Sequence, residues 1–556
     1  MLWGSAIVRR ATVVRLAGAV SSGVLLALAY APFEQHETAW VALVPLILIS
    51  SRSGTRAALG WGFLGGAVFW LVSLSWFSRL AWTGPSACLG LLAWFFLALY
   101  CALYTAAFAM LVSGLFGSLG TDNWRRTVLL TVAIPAVWVG LEYFRSTLLT
   151  GFPWNTLGVS QYRNIPICQA AEWGGVYAVS MLVALMNSAF AMTVLKFRGV
   201  AVGRRYRAHP ELMIALSILV LSMMAGVRML TERRLAGEVL RIALVQPNVP
   251  QVKKWSPEWA DEAYLKLRGL TEMTFERDVD LIVWPETALP SYALLDQDCL
   301  AFVCDLLTNG TPILVGTIDA RLRGNATNFF NSSMLFDPEA PDIQIYNKQH
   351  LLPFGEYIPL SGIFPSLARF DPLGWSCTPG KEDTIFRLQR VPDTAFSVLI
   401  CFEDVVSSLS RKFVRAGARL LINQTNDAWF DVSSASRQHM ANSVFRCIEN
   451  RVPMIRVTNT GMTCLIDAAG RIRDKLAPDG GALTEGFFIA EVVTAGPGMS
   501  PSFYTKHGDV FAVSCAVLVL ACFVLVAARG RSIKLRTRCL EPGSNEANPK
   551  GTRDDG

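Results

Sequence analysis

The apolar positions of this chain fall into two regimes. Residues 1–231 and 508–528 hold nearly all the long uncharged runs: Leu16–Ala31, Thr38–Ile49, Ala57–Phe77, Ser86–Phe116, Thr127–Tyr143, Gly174–Leu195, Leu212–Leu230 and Asp509–Ala528. Crossing the hydrocarbon core of a bilayer takes about 20 residues, so these runs predict eight transmembrane helices. The shortest, Thr38–Ile49, contains Pro45. The first run follows Arg9 and Arg10 and ends in small residues, as secretory signals do. Six more runs before the polar region favour a retained helix over a cleaved peptide.

Between 240 and 493 the pattern changes to short apolar or alternating stretches bounded by Gly, Pro, Asn or Asp. Strands are expected at Leu240–Gln246, Leu281–Trp284, Ile313–Ile318, Ser333–Phe336, Phe396–Ile400, Leu420–Asn423, Met454–Thr458, Thr463–Ile466 and Phe487–Val493. Helices are expected at Pro257–Arg277, Leu300–Leu307 and Ala435–Asn450. In the last, Met440, Val444 and Ile448 form a buried stripe, with Arg437, Arg446 and Glu449 off it. This alternation predicts a layered α/β domain, sheets inside and helices outside. The organisation read from the pattern is a seven-helix membrane region (1–231), an extramembrane domain (232–507), an eighth helix (508–530) and a basic, then polar, disordered tail (531–556).

Leu351–Trp375, "LLPFGEYIPLSGIFPSLARFDPLGW", is rich in Pro and Gly yet carries many large apolar side chains. A surface loop rarely presents so much apolar area to water. It reads either as a loop folded onto its own domain or as a mobile cover that touches lipid or an acyl chain.

Composition agrees with a membrane protein: of 556 residues, 52% are hydrophobic and 17% charged, with a mean hydropathy of +0.38. The net charge of +7 comes largely from alternate loops: Arg9, Arg10 and Arg15; Arg52 and Arg56; Arg125 and Arg126; Lys196 to Arg207; and Arg529 to Arg538. The positive-inside rule then places both termini in the cytoplasm and the domain outside it. No nucleic-acid partner follows from this charge. The twelve cysteines make no CxxC pattern. Their pairing in the outer domain stays open, and no metal site is expected.

Three strand ends carry polar residues that packing alone does not require. "VWPETALP" places Glu286 after a proline, "NKQHLLPFGEY" contains Lys348, and "FSVLICFED" ends a strand on Cys401. A carboxylate, an ammonium and a thiol are the parts of a cysteine acyl-transfer site. The carboxylate takes the thiol proton, and the cation meets the developing oxyanion together with a backbone N–H, that of Phe402.

In this order and context the three residues resemble the Glu-Lys-Cys triad of the carbon–nitrogen hydrolase (nitrilase) superfamily. With "FPWNTLGVSQ", "LVQPNVPQVKKW", "NQTNDAWF" and "VTNTGMTCLID", the whole chain resembles that superfamily's membrane branch, the apolipoprotein N-acyltransferases. The resemblance implies an αββα sandwich on an eight-helix bundle in a bacterial inner membrane, catalytic side outward. Glu286 would be the base, Lys348 the oxyanion stabiliser and Cys401 the nucleophile. Glu356 would orient the lysine, and Glu403 would be a further active-site carboxylate. Trp154, Trp255 and Trp429 would line or gate the acyl site. Phe402 stands where the family often has Tyr, Asn347 where Asp or Gly is common, and Pro247 where Gly is common; the first removes any role for a hydroxyl beside the nucleophile.

The implied reaction passes an acyl chain from a phospholipid, phosphatidylethanolamine, through a Cys401 thioester to the α-amino group of a diacylglyceryl cysteine on an apolipoprotein. It needs no cofactor and is expected of a monomer. Two rivals remain: a membrane-tethered amidase or nitrilase acting on a small amide, and a non-enzymatic membrane assembly or transport protein. Transporters usually hold ionisable groups within their spans; here Glu142 and Arg145 lie near one membrane edge.

Overall fold

The computed structural model describes every residue except 1, 80–85, 122, 198–208, 233–236, 251–256, 324–325, 360, 362, 365, 367–375, 431–432, 477–483 and 541–556. Trp255 and most of the apolar loop's second half, where the cover reading rests, therefore lie outside the described residues. Within the described part of that loop, Phe354, Ile363 and Phe364 are exposed.

Among the described residues, seven helices have the length and apolar content to cross a membrane: Arg10–Leu28, Thr55–Ser73, Gly90–Leu119, Trp124–Thr150, Val176–Phe197, Pro210–Glu232 and Val510–Ala528. The expected helix over Thr38–Ile49 is corrected. Pro45 opens a seven-residue helix, Val44–Ser50, after a separate 3-10 turn, His36–Trp40. Seven residues rise about 10 Å, too little to cross ~30 Å of hydrocarbon. The broken segment nevertheless carries the chain from one end of the bundle to the other. It starts just after Ala31, whose carbonyl is bonded to the domain residue Gln438, and ends before Ser53, whose carbonyl accepts from Ser113 at the opposite end. Its Ala39, Ala42, Leu43, Leu46 and Ile47 are wholly buried. Helix pairs approach closely where side chains are small, the packing force available in lipid. A Cβ on Gly62 would lie 2.6 Å from the Thr105 carbonyl, and one on Gly66 2.8 Å from Thr105 Cβ.

The ends of the bundle differ. Ala31, Ser73 and Asn155 meet the domain at one end. The loops carrying Arg52, Arg56, Arg125 and Arg126 sit at the other, since Ser53 bonds Ser113 there and helix Trp124–Thr147 begins there. The last helix runs Val510–Leu540, past its apolar stretch, so the tail expected to be irregular from 531 begins as helix.

The domain contains two six-stranded sheets. In the first, β1 (Val239–Gln246), β2 (Leu281–Val283), β3 (Ile313–Arg323), β4 (Ala326–Phe336), β5 (Gln344–Asn347) and β12 (Gly486–Val493) lie in the order β12-β1-β2-β3-β4-β5. In the second, β6 (Phe386–Arg387), β7 (Ala395–Ile400), β8 (Leu420–Thr425), β9 (Met454–Thr458), β10 (Cys464–Ile466) and β11 (Ile472–Lys475) lie in the order β11-β10-β9-β8-β7-β6. The central pairs β1–β2, β2–β3, β7–β8 and β8–β9 are parallel.

Strand alternation builds the layers. Ile242, Leu244, Leu281, Val283 and Leu314 join the core of the second sheet, including Val398 and Ile400. The intervening Ala243, Val245, Ile282 and Val315 pack under Leu267, Val303 and Leu306 of helices Pro257–Glu272 and Gln297–Leu307. Helices Ser407–Arg415 and Ala435–Asn450 add to the second sheet's core through Leu409, Phe413, Met440 and Val444. The result is the expected αββα sandwich.

Helix Ala435–Asn450 has the predicted limits and stripe, but it is not amphipathic in place. Arg446 is 3% and Glu449 0% exposed. One face lies on the sheet and the other faces the membrane helices: Glu449 Oε1 accepts from Arg446 Nη2 at 2.8 Å and from the backbone N–H of Val176 at 2.9 Å. Val176 opens a membrane helix, where a carboxylate satisfies an orphan donor and the favourable end of the macrodipole.

Candidate active site

Glu286, Lys348 and Cys401 come from three separate strand ends and meet. Glu286 follows β2 on a turn that contacts β3. A Cβ on Gly316 would sit 2.2 Å from the Pro285 carbonyl, so only glycine lets the strand pass so close. The following Thr287 has φ +43°. Lys348 follows β5, its backbone N–H donating to the Asn331 carbonyl at 2.8 Å and its carbonyl accepting from Gly380 at 2.8 Å.

Lys348 Nζ donates to Glu356 Oε1 at 2.8 Å and lies 3.7 Å from Glu286 Oε1. Asn331 Nδ2 donates to both carboxylates, at 2.8 Å each. Glu356 is fixed in turn by the N–H of Leu352, at 2.8 Å to Oε2. Lys348 is 2% exposed. Burial opposes its charge, but Glu356, then Cys401 and Glu286, outweigh that and hold its pKa above the ordinary lysine value.

Cys401 begins a 3-10 turn, Cys401–Val405, directly after β7. Its φ is +51°, a left-handed conformation that costs a residue with a Cβ about 1–3 kcal/mol and persists only where the surroundings impose it. Asn423 Nδ2 supplies part of that constraint, donating to the carbonyls of Leu399 at 3.0 Å and Cys401 at 3.1 Å. The thiol is pushed above its ordinary range, first by burial and then by the charge of Glu286, with Lys348 acting the other way. That direction favours the thiol form at neutral pH, with the Glu286 carboxyl as a contributing charge.

Glu403 holds the site together. Its Oε1 accepts from the N–H groups of Gln349 at 2.7 Å and His350 at 3.0 Å, its Oε2 from Ile400 N–H at 2.8 Å, and the Tyr346 hydroxyl donates to both oxygens. It thus ties the lysine segment to the cysteine turn; burial raises its pKa to about 7.

Behind the turn lies a cluster that sequence reasoning missed. His439 Nε2 is 2.6 Å from Asp404 Oδ1, and its Nδ1 is 3.2 Å from Asp427 Oδ1. Arg456, fully buried, donates to Asp404 at 2.9 Å, Asp427 at 3.0 Å and Asn423 Oδ1 at 2.7 Å. Burial and Arg456 oppose a charge on His439, but Asp404 and Asp427 prevail and raise its pKa. The cluster braces Asn423, and Asn423 braces the cysteine.

Of the expected tryptophans, Trp154 is buried on the loop after helix Trp124–Thr147, with its ring parallel to Phe402, 4° between planes and 6.0 Å between centroids. Phe402 stacks on His350 from its other neighbours, at 6.1 Å and 19°. Trp429 is half-buried on the turn Asp427–Phe430, while Phe430 packs edge-on against Trp76 at 4.8 Å. The cysteine turn therefore faces the membrane helices, and aromatic rings from both parts of the chain wall it.

A thiol on a strained turn after a parallel strand, next to a carboxylate–ammonium pair in a two-sheet sandwich, defines a carbon–nitrogen hydrolase domain. Residues 241–495 match the carbon-nitrogen hydrolase family, and residues 22–189 match the apolipoprotein N-acyltransferase N-terminal domain. The apolipoprotein N-acyltransferase of Geobacter metallireducens is 35% identical over 526 residues, covering 93% of this chain and 95% of its own length. Apolipoprotein N-acyltransferase 1 of Treponema pallidum is 32% identical over 540 residues, covering 91% of this chain and 92% of its own. The chain belongs to the apolipoprotein N-acyltransferase family.

Proposed function

We propose that this chain N-acylates apolipoproteins in two steps, with Cys401 as nucleophile, Glu286 as general base and Lys348 as oxyanion stabiliser. The observation that carries the reading is the convergence of Lys348 with Glu286 and Glu356 beside a strained cysteine turn that opens toward membrane helices. A soluble amide substrate has no use for that orientation; a lipid one does.

In the first step Cys401 Sγ attacks the ester carbonyl of a phospholipid, phosphatidylethanolamine by family resemblance, as Glu286 takes the thiol proton. The tetrahedral oxyanion is met by the Lys348 ammonium and the Phe402 N–H. Collapse breaks the ester bond; the lysophospholipid leaves with the proton returned by Glu286, and an S-acyl Cys401 remains. In the second step the neutral α-amine of a diacylglyceryl cysteine attacks the thioester, giving up a proton to Glu286. The thiol is released and the amide formed. Both substrates are held by their acyl chains at one depth of the bilayer, which replaces a search in three dimensions by one in the membrane plane. The thioester survives only where water is excluded.

The domain is assigned to the periplasmic side of the inner membrane because the basic loops sit at the bundle end away from it. A membrane-impermeant maleimide should label the exposed Cys304 in intact spheroplasts; labelling only after lysis would reverse the orientation.

Intact mass spectrometry of the purified protein incubated with phospholipid vesicles tests the chemistry. A mass increase of one acyl chain, located at Cys401 and discharged by a diacylglyceryl peptide, is expected. Absence of the adduct, together with turnover of a small amide, would instead establish the amidase reading.

A further inference from the structure

Gln438 lies one residue before His439 on the helix buried between sheet and membrane, 2% exposed. Its side chain is bonded by five residues from three segments of the membrane region. Oε1 accepts from Trp154 Nε1 at 2.7 Å, Trp76 Nε1 at 3.0 Å and Asn155 Nδ2 at 3.2 Å. Nε2 donates to the carbonyls of Ala31 at 2.7 Å and Ser73 at 3.1 Å. The assignment of the amide's two ends is forced, because an indole N–H cannot accept and a carbonyl cannot donate. Few side chains could satisfy this surrounding. Glu would turn an oxygen toward two carbonyls, Lys and Arg could accept nothing, and Leu would leave two indole donors and two carbonyls without partners.

What Gln438 holds matters because of what Trp154 touches. The loop bearing Trp154 is pinned from the other side by Arg145, whose Nη1 donates to the carbonyls of Phe152 and Trp154 at 2.7 Å each. Those bonds fix the backbone, and the buried ring packs against Phe152, His439 and Trp76. The bond from Nε1 to Gln438 adds a directional contact to this packing and holds the orientation in which the ring lies parallel to Phe402, the residue after Cys401. Trp76, which shares the same acceptor, packs 5.6 Å from Trp154 and 4.8 Å from Phe430.

We infer that Gln438 is a positioning residue for acyl transfer: it sets the orientation of Trp154, and so the wall on which the donor's acyl chain lies when its ester reaches Cys401. The inference rests on the assignment of Cys401 as nucleophile. It separates two properties of the site, reactivity of the thiol toward a small reagent and reactivity toward an ester carried on a long chain. Gln438 governs the second.

The experiment uses the full chain in nanodiscs, with Q438L, Q438E, W154F and the Q438L/W154F pair. Acyl-enzyme formation from phospholipid is followed by mass spectrometry as a function of donor concentration, and alkylation of Cys401 by iodoacetamide is followed in parallel. Q438L is expected to slow acylation at least tenfold while changing alkylation less than threefold. The pair should be no slower than W154F alone, since the two residues act through one ring. Should Q438L not insert, Q438M, which also removes the acceptor from both indoles, carries the same comparison, while Q438E, which keeps that acceptor, should acylate faster than Q438L. Acylation at the parent rate in Q438L, or in Q438M in its place, overturns the inference, as do equal losses of acylation and alkylation, or losses that multiply in the pair. A C401A control that still forms an acyl adduct would instead remove the nucleophile assignment.

Discussion

Glu403 accepts the backbone N–H of Gln349 at 2.7 Å, joining the residue after the lysine to the turn that starts at the cysteine. The carboxylate does not reach the solvent; it is 0% exposed and surrounded by donors from Tyr346, Gln349, His350 and Ile400. Glu403→Ala would leave three buried N–H groups and a hydroxyl without an acceptor, each costing about 1–3 kcal/mol. The expected outcome is a fall in thermal stability, with acyl-enzyme formation reduced by at least about 100-fold as the lysine and cysteine segments separate. Tyr346→Phe removes only one of the donors and should cost about 1 kcal/mol with activity largely kept. If Glu403→Ala left both melting temperature and acylation unchanged, the bracing role would be wrong.

The lysine and its carboxylates make a second prediction. Lys348→Met removes the ammonium that lies against Glu286 and Glu356 and leaves both carboxylates on the Asn331 amide. Removing one partner from a buried ionic group typically destabilises by about 3–5 kcal/mol. Denaturant unfolding should show that loss in Lys348→Met, a smaller one in the double variant with Glu356→Gln, and no acylation in either. Asn331→Asp would add a third carboxylate at the same place and should also abolish acylation.

The state of the thiol sets a pH dependence. Burial and Glu286 raise the pKa of Cys401 above the usual value of about 8.5. The thiol is thus the resting form, and thiolate accumulates only as pH passes the raised value. Alkylation of Cys401 by iodoacetamide should therefore climb steadily with pH across about 6–9. A cysteine paired with an imidazolium would instead plateau near neutrality. Glu286→Gln removes the charge that raises the thiol pKa, so alkylation at a given pH should speed up, while acyl-enzyme formation from phospholipid should slow by about 100- to 10,000-fold for want of a base. Opposite signs for the two rates distinguish a general base from a merely nearby charge.

The central strands were legible because they are β-branched, apolar and ended by turn residues; β9 and helix Ala435–Asn450 match their expected limits. Glu286, Lys348 and Cys401 drew notice in the sequence because each stands at such an end. β5 and β6 were not. Gln344–Asn347 and Phe386–Arg387 are too short and polar to give a period, and they form because the long β4 and β7 offer edges to pair with. Nor did the Ala435–Asn450 stripe reveal that its opposite face is buried too, since Arg446 and Glu449 neutralise each other and could equally have met water. Arg456 did leave a signal: an arginine in the middle of "MIRVT", an otherwise apolar central strand, requires carboxylates within reach. Asp404, Asp427 and His439 could have been sought on that ground. Gln438 left none, because its partners are backbone carbonyls and indoles more than 280 residues away in sequence.

Two glycine substitutions should move stability in opposite directions. At Gly316 a methyl group would meet the Pro285 carbonyl at 2.2 Å and Glu286 Cα at 2.8 Å. These are backbone atoms that cannot turn aside, so the Glu286 turn must shift outward. Overpacking of this kind costs about 1–3 kcal/mol, and the displaced carboxylate would no longer face both Asn331 and Lys348. Gly316→Ala should therefore unfold earlier in denaturant and also slow acylation more than tenfold. Gly269 lies in helix Pro257–Glu272 with nothing within 4 Å of an added Cβ. There alanine gains only the conformational preference of the helix, about 0.5–1 kcal/mol, and acylation should not change. Measured side by side, the pair separates crowding at Glu286 from the general effect of replacing a glycine. Equal behaviour of the two variants would mean that the Glu286 turn is not held by its approach to β3.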